Sequence, residues 1–127
     1  MKKIVLISCA AKEINIGAKV KNIYITETFK KTLDYAYSLK PDKIFFLTLN
    51  QGLLGANEEL ITSSDTLDDR DDNEIRAWAD EVLVKLRLEA DLQRDKIIFL
   101  AGYNYRKYLI PHIKNYKISF TDLPLYL

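Results

Sequence analysis

The sequence predicts an α/β domain, and three observations lead there. Three short runs are apolar without alternation: Lys3 to Ser8, Lys43 to Thr48 and Lys96 to Ala101. Continuous β-branched and aliphatic runs of this length suit strands buried on both faces of a sheet. Helical patterns lie between the runs, and such alternation implies parallel strands joined by crossovers. A chain of 127 residues is long enough for one domain and short for two, so residues 1–127 read as a single unit.

The elements follow in order. After the first strand, Thr26 or Glu27 opens a helical pattern with apolar residues at Phe29, Leu33, Ala36 and Tyr37. It stops before Pro41, whose ring disfavours helical backbone in the preceding residue. The second strand leads to the clearest helix. Ile75, Trp78, Ala79, Val82, Leu83 and Leu86 fall on one helical face. Asp71 with Glu74 three residues later resembles a capping box, with Asp in place of Ser or Thr. After the third strand a short helix runs from about Asn104 to Ile110, and Pro111 either kinks it or begins a second turn. A weaker fourth strand spans Tyr116 to Phe120. The expected architecture is a three-layer sandwich with a four-stranded, mostly parallel sheet in the order 2-1-3-4. That order places helices on both faces.

Composition narrows the class further. With 48% hydrophobic and 29% charged residues, the chain can bury a core beneath a solvated surface, unlike disordered or membrane chains. The apolar run Ile4 to Ile7 is too short to span a bilayer or to form a usual signal-peptide core. No membrane partner is expected, and the expected location is cytoplasmic. Cys9 is the single cysteine, so there is no intramolecular disulfide and no multi-cysteine zinc site. The net charge of +1 conceals a pattern. Residues 1–43 carry nine Lys against four acids, residues 44–95 five bases against thirteen acids, and residues 96–127 five bases against one acid. Either one face is basic and suits an anionic partner, or the acids belong to one exposed helix and its preceding loop.

In open parallel sheets, ligands bind beyond the carboxyl ends of the strands, where the strand order reverses. The order 2-1-3-4 puts that point between strands one and three. Two long connections leave this edge, residues 9–25 and 49–70, and such loops are usually functional or mobile. The first begins Ser8-Cys9-Ala10-Ala11-Lys12. Its small residues let backbone N–H groups approach a ligand, and Lys12 would neutralise an anion. Cys9 beside a lysine is a candidate nucleophile; the alternative is a small buried cysteine packing the strand end. In the second loop, Gly52 and Gly55 suit turns that need positive φ. Asn50 and Gln51 either read the edge of a base or satisfy local backbone.

The same loop ends with Asp65, Asp68, Asp69, Asp71 and Asp72. A metal is not expected there, because Asp71 and Asp72 suit a helix N-terminus and the spacing lacks a calcium loop's central Gly. After strand three, Gly102, Tyr105, Arg106 and Tyr108 cluster at a helix start. Arg106 could pair with a phosphate or carboxylate and the aromatic residues could stack on a base. The alternative is that the tyrosines pack on the sheet while Arg106 is solvated. Tyr24 poses the same choice. His112 reads as a surface or capping histidine.

These loop motifs together resemble an uncharacterised family of small bacterial and phage α/β domains that open with Ser-Cys-x-x-Lys. The matching residues are Ser8-Cys9-Ala10-Ala11-Lys12, Tyr24 and Phe29, Gly52-Leu53-Leu54, Leu100-Ala101-Gly102, and Tyr105-Arg106 with Tyr108-Leu109-Ile110-Pro111. The opening loop and the Gly-Leu-Leu loop are more distantly similar to those of bacterial peroxide-stress proteins and of a domain in archaeosine synthase. The resemblance implies a fold akin to the uracil-DNA-glycosylase class and a link to nucleic acid bases. Three departures stand out. Asn50-Gln51 replaces the family's Lys-Tyr, Ser63-Ser64-Asp65 replaces its Pro-Tyr-Asp, and the chain stops at Leu127 where a further segment is expected.

Three functional classes follow. In the first, the domain is an enzyme acting on a nucleobase or nucleotide. Asp65 and Cys9 are then the candidate catalytic residues. Ser8, Lys12, Tyr24, Asn50, Gln51, Gly52, Gly102, Tyr105 and Arg106 are the candidate ligand contacts, with no cofactor expected. In the second, a non-catalytic module keeps the pocket and binds a nucleotide, a nucleic acid or a protein. The lost loop aromatic favours the second class. In the third, the chain is a protein-interaction or defence-related accessory domain with no small-molecule site, whose contact surface would be the acidic segment 58–74.

Overall fold

The computed structural model describes residues 1–8, 27–55, 57–58 and 67–119. Its strands are β1 (Lys3–Ser8), β2 (Lys43–Thr48), β3 (Gly52–Gly55), β4 (Lys96–Leu100) and β5 (Tyr116–Ile118). Its α-helices are α1 (Glu27–Ser38), α2 (Asp72–Glu89) and the one-turn α3 (Tyr103–Arg106). Short 3-10 turns cover Leu67–Asp69 and Ile110–His112.

The strands form one sheet in the order β3-β2-β1-β4-β5. β1 pairs in parallel with β2 and β4, and β4 in parallel with β5. β3 runs antiparallel to β2, with Thr48 opposite Gly52. The class is therefore the expected α/β, but the sheet has five strands and is mixed, where four and mostly parallel were expected. The extra strand lies inside the second long loop. Only Leu53 and Leu54 mark it as apolar, and the glycines on either side read as turn residues, so too few side chains carry its period.

Why the runs are continuous is plain from the packing. Successive side chains on a strand point to opposite faces. Ile4, Leu6, Phe45, Leu47, Ile97 and Phe99 enter one apolar cluster, shared with the α2 residues Ile75, Trp78, Ala79, Val82, Leu83 and Leu86. Val5, Ile7, Phe46, Ile98 and Leu100 enter the other, with Leu33 and Ala36 of α1. Helices thus cover both faces. From β1 the chain crosses to β2 over one face, then returns past β1 to β4 over the opposite face. Opposite direction on the opposite face gives both crossovers the same hand. The order reverses between β1 and β4.

Local chemistry pins the element ends. Asp71 is the N-cap of α2, its Oδ1 accepting the Glu74 N–H at 2.8 Å. The two aspartates that precede strand lysines have a shared role. Asp42 Oδ2 accepts the Lys3 N–H at 2.7 Å, and Asp95 Oδ1 accepts the Lys2 N–H at 2.8 Å. Each carboxylate ties the start of β1 to the start of a neighbour. Among the described residues, no helix is long and apolar enough to cross a membrane.

Candidate functional site

The switch point lies at the C-terminal ends of β1 and β4, and two of the sequence-selected residues meet there. The Gly102 N–H donates to Ser8 Oγ at 3.4 Å, which joins the two strand ends. Ser8 is nearly buried. Gly102 has an ordinary φ of −64° and precedes α3; a Cβ there would touch only Tyr105 Cδ2, at 3.9 Å. Its backbone amide is engaged by Ser8, and the space around it does not require the absence of a side chain.

The β2–β3 connection stands at the same edge. Thr48 Oγ1 accepts the Gln51 N–H at 3.1 Å and donates to the Gly52 carbonyl at 3.3 Å. Gly52 has φ +64°, a left-handed conformation that favours glycine. Asn50 and Gln51 are the turn itself. Asn50 is exposed, and the Gln51 carbonyl accepts from Lys85 Nζ at 3.3 Å.

Tyr105 points away from solvent, and Arg106 is half-buried. Tyr105 is 3% exposed. Its ring meets Trp78 edge-on, centroids 5.6 Å apart, and its hydroxyl accepts the Leu67 N–H at 3.1 Å. Trp78 Nε1–H in turn donates to the Thr48 carbonyl at 2.8 Å. This line of contacts links the β2 end, α2, α3 and the Leu67 turn into one braced edge. Arg106 donates to the Ala101 carbonyl at 2.8 Å, and partial burial pulls its guanidinium pKa down while Tyr103 opposes that shift. Cys9, Lys12, Tyr24 and Asp65 lie outside the described residues.

The exposed chemistry at this edge joins Arg106, Tyr108 and Asp72 to three residues that the motif reading passed over, Tyr103, Lys107 and Arg76. Tyr103 is 65% exposed, with the Arg106 guanidinium 5.6 Å and Lys107 Nζ 5.3 Å from its ring centre. Lys107 also lies 5.1 Å, and the Arg76 guanidinium 4.6 Å, from the Tyr108 ring centre. Asp72 gathers these groups. It accepts the Tyr108 hydroxyl and pairs with Lys107 at 3.3 Å and Arg76 at 3.5 Å. The Tyr108 hydrogen bond is the main cause of a lowered Asp72 pKa, with desolvation opposing and the two cations assisting. Asn104 Nδ2–H donates to Asp68 Oδ1 at 2.8 Å, fastening α3 to the turn before α2. One signal was present in the sequence: Tyr103, Arg106 and Lys107 stand three and four apart, the spacing of neighbours on a helix.

Two further findings bound the site. Among the described residues, no group of three or more His, Cys, Asp or Glu could hold a metal. A large open cleft of about 1080 Å³ lies at the opposite, N-terminal edge of the sheet, between the start of β1, the end of α2 and residues 111–114.

Together these features define an α/β domain with a mixed five-stranded sheet, at one edge of which tyrosine rings lie beside cations. The chain belongs to DUF6884, a family of unknown function, whose model matches residues 4–125. No curated protein and no solved structure matches it.

Proposed function

We propose that this domain binds a ligand carrying both a nucleobase and phosphate, a nucleotide or a nucleic acid strand, at the C-terminal edge of its sheet. The observation that carries the reading is Tyr103: a largely exposed ring flanked by Arg106 and Lys107. An exposed aromatic face stacks on any base, and cations beside it neutralise the backbone. The switch point at Ser8 and Gly102 supports the same place, because ligands of open α/β sheets gather there. The resemblance to archaeosine synthase and peroxide-stress domains supports a base as the ring. Binding without catalysis is the form we favour, since Ser63-Ser64 stands where the resembled family has Pro-Tyr. A base-processing enzyme would call on Asp65 and Cys9.

The test is fluorescence anisotropy with labelled single-stranded DNA and RNA, competed by free nucleotides. Tyr103→Ala is expected to weaken binding by about 1–3 kcal/mol, the worth of one stacked base. Lys107→Gln is expected to flatten the salt dependence, because one fewer counterion is released. Absence of binding at low salt, or binding indifferent to both variants, sinks the proposal. Incubation with the bound strand, followed by analysis for altered or released base, separates binder from enzyme.

A further inference from the structure

The cleft at the N-terminal edge is remote from the Tyr103 surface and stands independently of it. Its walls are the last turn of α2, the connection 91–95, the start of β1 and the segment 111–114. Its floor is braced by backbone contacts. Asp95 accepts the Lys2 N–H at 2.8 Å and the Asp91 N–H at 2.9 Å, and the Lys114 N–H donates to the Leu92 carbonyl at 3.0 Å.

The charges that line it are unequal in how they are spent. Of its three carboxylates, Asp95 is 6% exposed with both oxygens on backbone amides. Glu89 is paired with Lys43 at 3.0 Å, and Asp91 Oδ1 accepts the Gln93 N–H at 2.9 Å. Lys43 Nζ also reaches the Glu89 carbonyl at 3.5 Å, so the negative end of α2 is met by a cation that does not line the cleft. Four cations line the cleft: Lys2, Arg87, Arg94 and Lys114. None of their side chains forms a close ion pair with a carboxylate among the described residues, although Lys2 and the N-terminus lie near enough to Asp95 to help hold its pKa down. Arg87 has a hydrogen-bonding neighbour rather than a carboxylate. Its Nη2 lies 3.5 Å from Nδ1 of His112, another residue of the cleft wall. Leu88 is 83% exposed and belongs to the same wall.

We propose that this cleft binds a small phosphorylated molecule, with phosphate held by Arg87, Arg94 and Lys114 and an organic body laid against Leu88. A volume near 1080 Å³ suits a small organic ligand. A multiply charged oxyanion satisfies several cations at once, and guanidinium forks match its geometry. The cleft is open to solvent, so its clustered cations rather than enclosure select the ligand.

The chain's only histidine makes the test direct, because His112 gives one imidazole signal at the cleft wall. The full chain is titrated at low salt with inorganic pyrophosphate and with adenosine diphosphate, reading His112 by NMR. Saturable shifts are expected with both. Tighter binding of the diphosphate nucleotide places the organic body in the cleft; equal affinity assigns the site to the phosphate group alone, with the anion site upheld. Arg94→Gln with Lys114→Gln is expected to weaken binding roughly tenfold or more, in line with two lost charge-assisted contacts. Both side chains are exposed, so the variant should keep the wild-type melting temperature, which is measured alongside. Tyr103→Ala should leave the His112 response unchanged. No shift at millimolar ligand, a shift that survives the double variant, or one abolished by Tyr103→Ala overturns the proposal. The last outcome would assign the phosphate to the C-terminal edge, a result that leaves the function proposed above standing.

Discussion

Asp95 shows how one buried carboxylate can organise several chain segments. It takes hydrogen bonds from the backbone of Lys2 and of Asp91, and its pKa falls below the ordinary 3.8 chiefly through the first and then the second, against a desolvation that raises it. A lowered folded-state pKa means that Asp95 contributes stability above the unfolded value. That contribution is lost as the pH falls through the lowered one. Asp95→Ala, which leaves two amides without their acceptor, should cost about 1–2 kcal/mol at neutral pH. Urea midpoints of wild type and Asp95→Asn should converge as the pH drops below 3.8. Divergence in acid would show that the stability comes from elsewhere. Asp72 is a different case: it lies on the surface, and its three partners make it an organiser of Lys107, Arg76 and Tyr108 rather than a source of stability.

Among the elements, the β2–β3 hairpin was the hardest to foresee and the easiest to perturb. Gly52 sits at φ +64°, and a Cβ there would come within 3.4 Å of Val82 Cγ2 on α2. Gly52→Ala should therefore destabilise by about 1–2 kcal/mol, since a left-handed residue with a side chain costs that much before any contact is counted. Chemical denaturation measures it, and an unchanged midpoint would show that the turn relaxes freely. The hairpin also explains Asn50 and Gln51. They close a tight turn held by Thr48, so their placement answers first to local backbone. α2 was fully legible by contrast. Its apolar face and its Asp71 cap both follow from residue type and spacing, which local sequence carries without help.

At the scale of the molecule, the sheet divides the interior into two apolar clusters that share no side chain. Ile75→Val in one and Ile7→Val in the other should each cost about 0.5–1.5 kcal/mol. The double variant should equal their sum within about 0.5 kcal/mol, because the sheet separates the two sites. A larger coupling in urea melts would mean that the two layers repack together. The sequence by itself determined the α/β class, the strand cores and the helix faces, because period and burial are written in neighbouring residues. It also named Ser8 and Gly102, which meet at the C-terminal ends of β1 and β4. Only the tertiary structure decided that Tyr105 turns inward while Tyr103 stays outside. Both are tyrosines on one short helix, and what separates them is contact with Trp78 and Leu67, residues distant in the chain. Tertiary contacts likewise made Gly52–Gly55 a fifth strand and gathered Lys2, Arg87, Arg94 and Lys114 around one cleft, because those residues come from segments that only folding brings together.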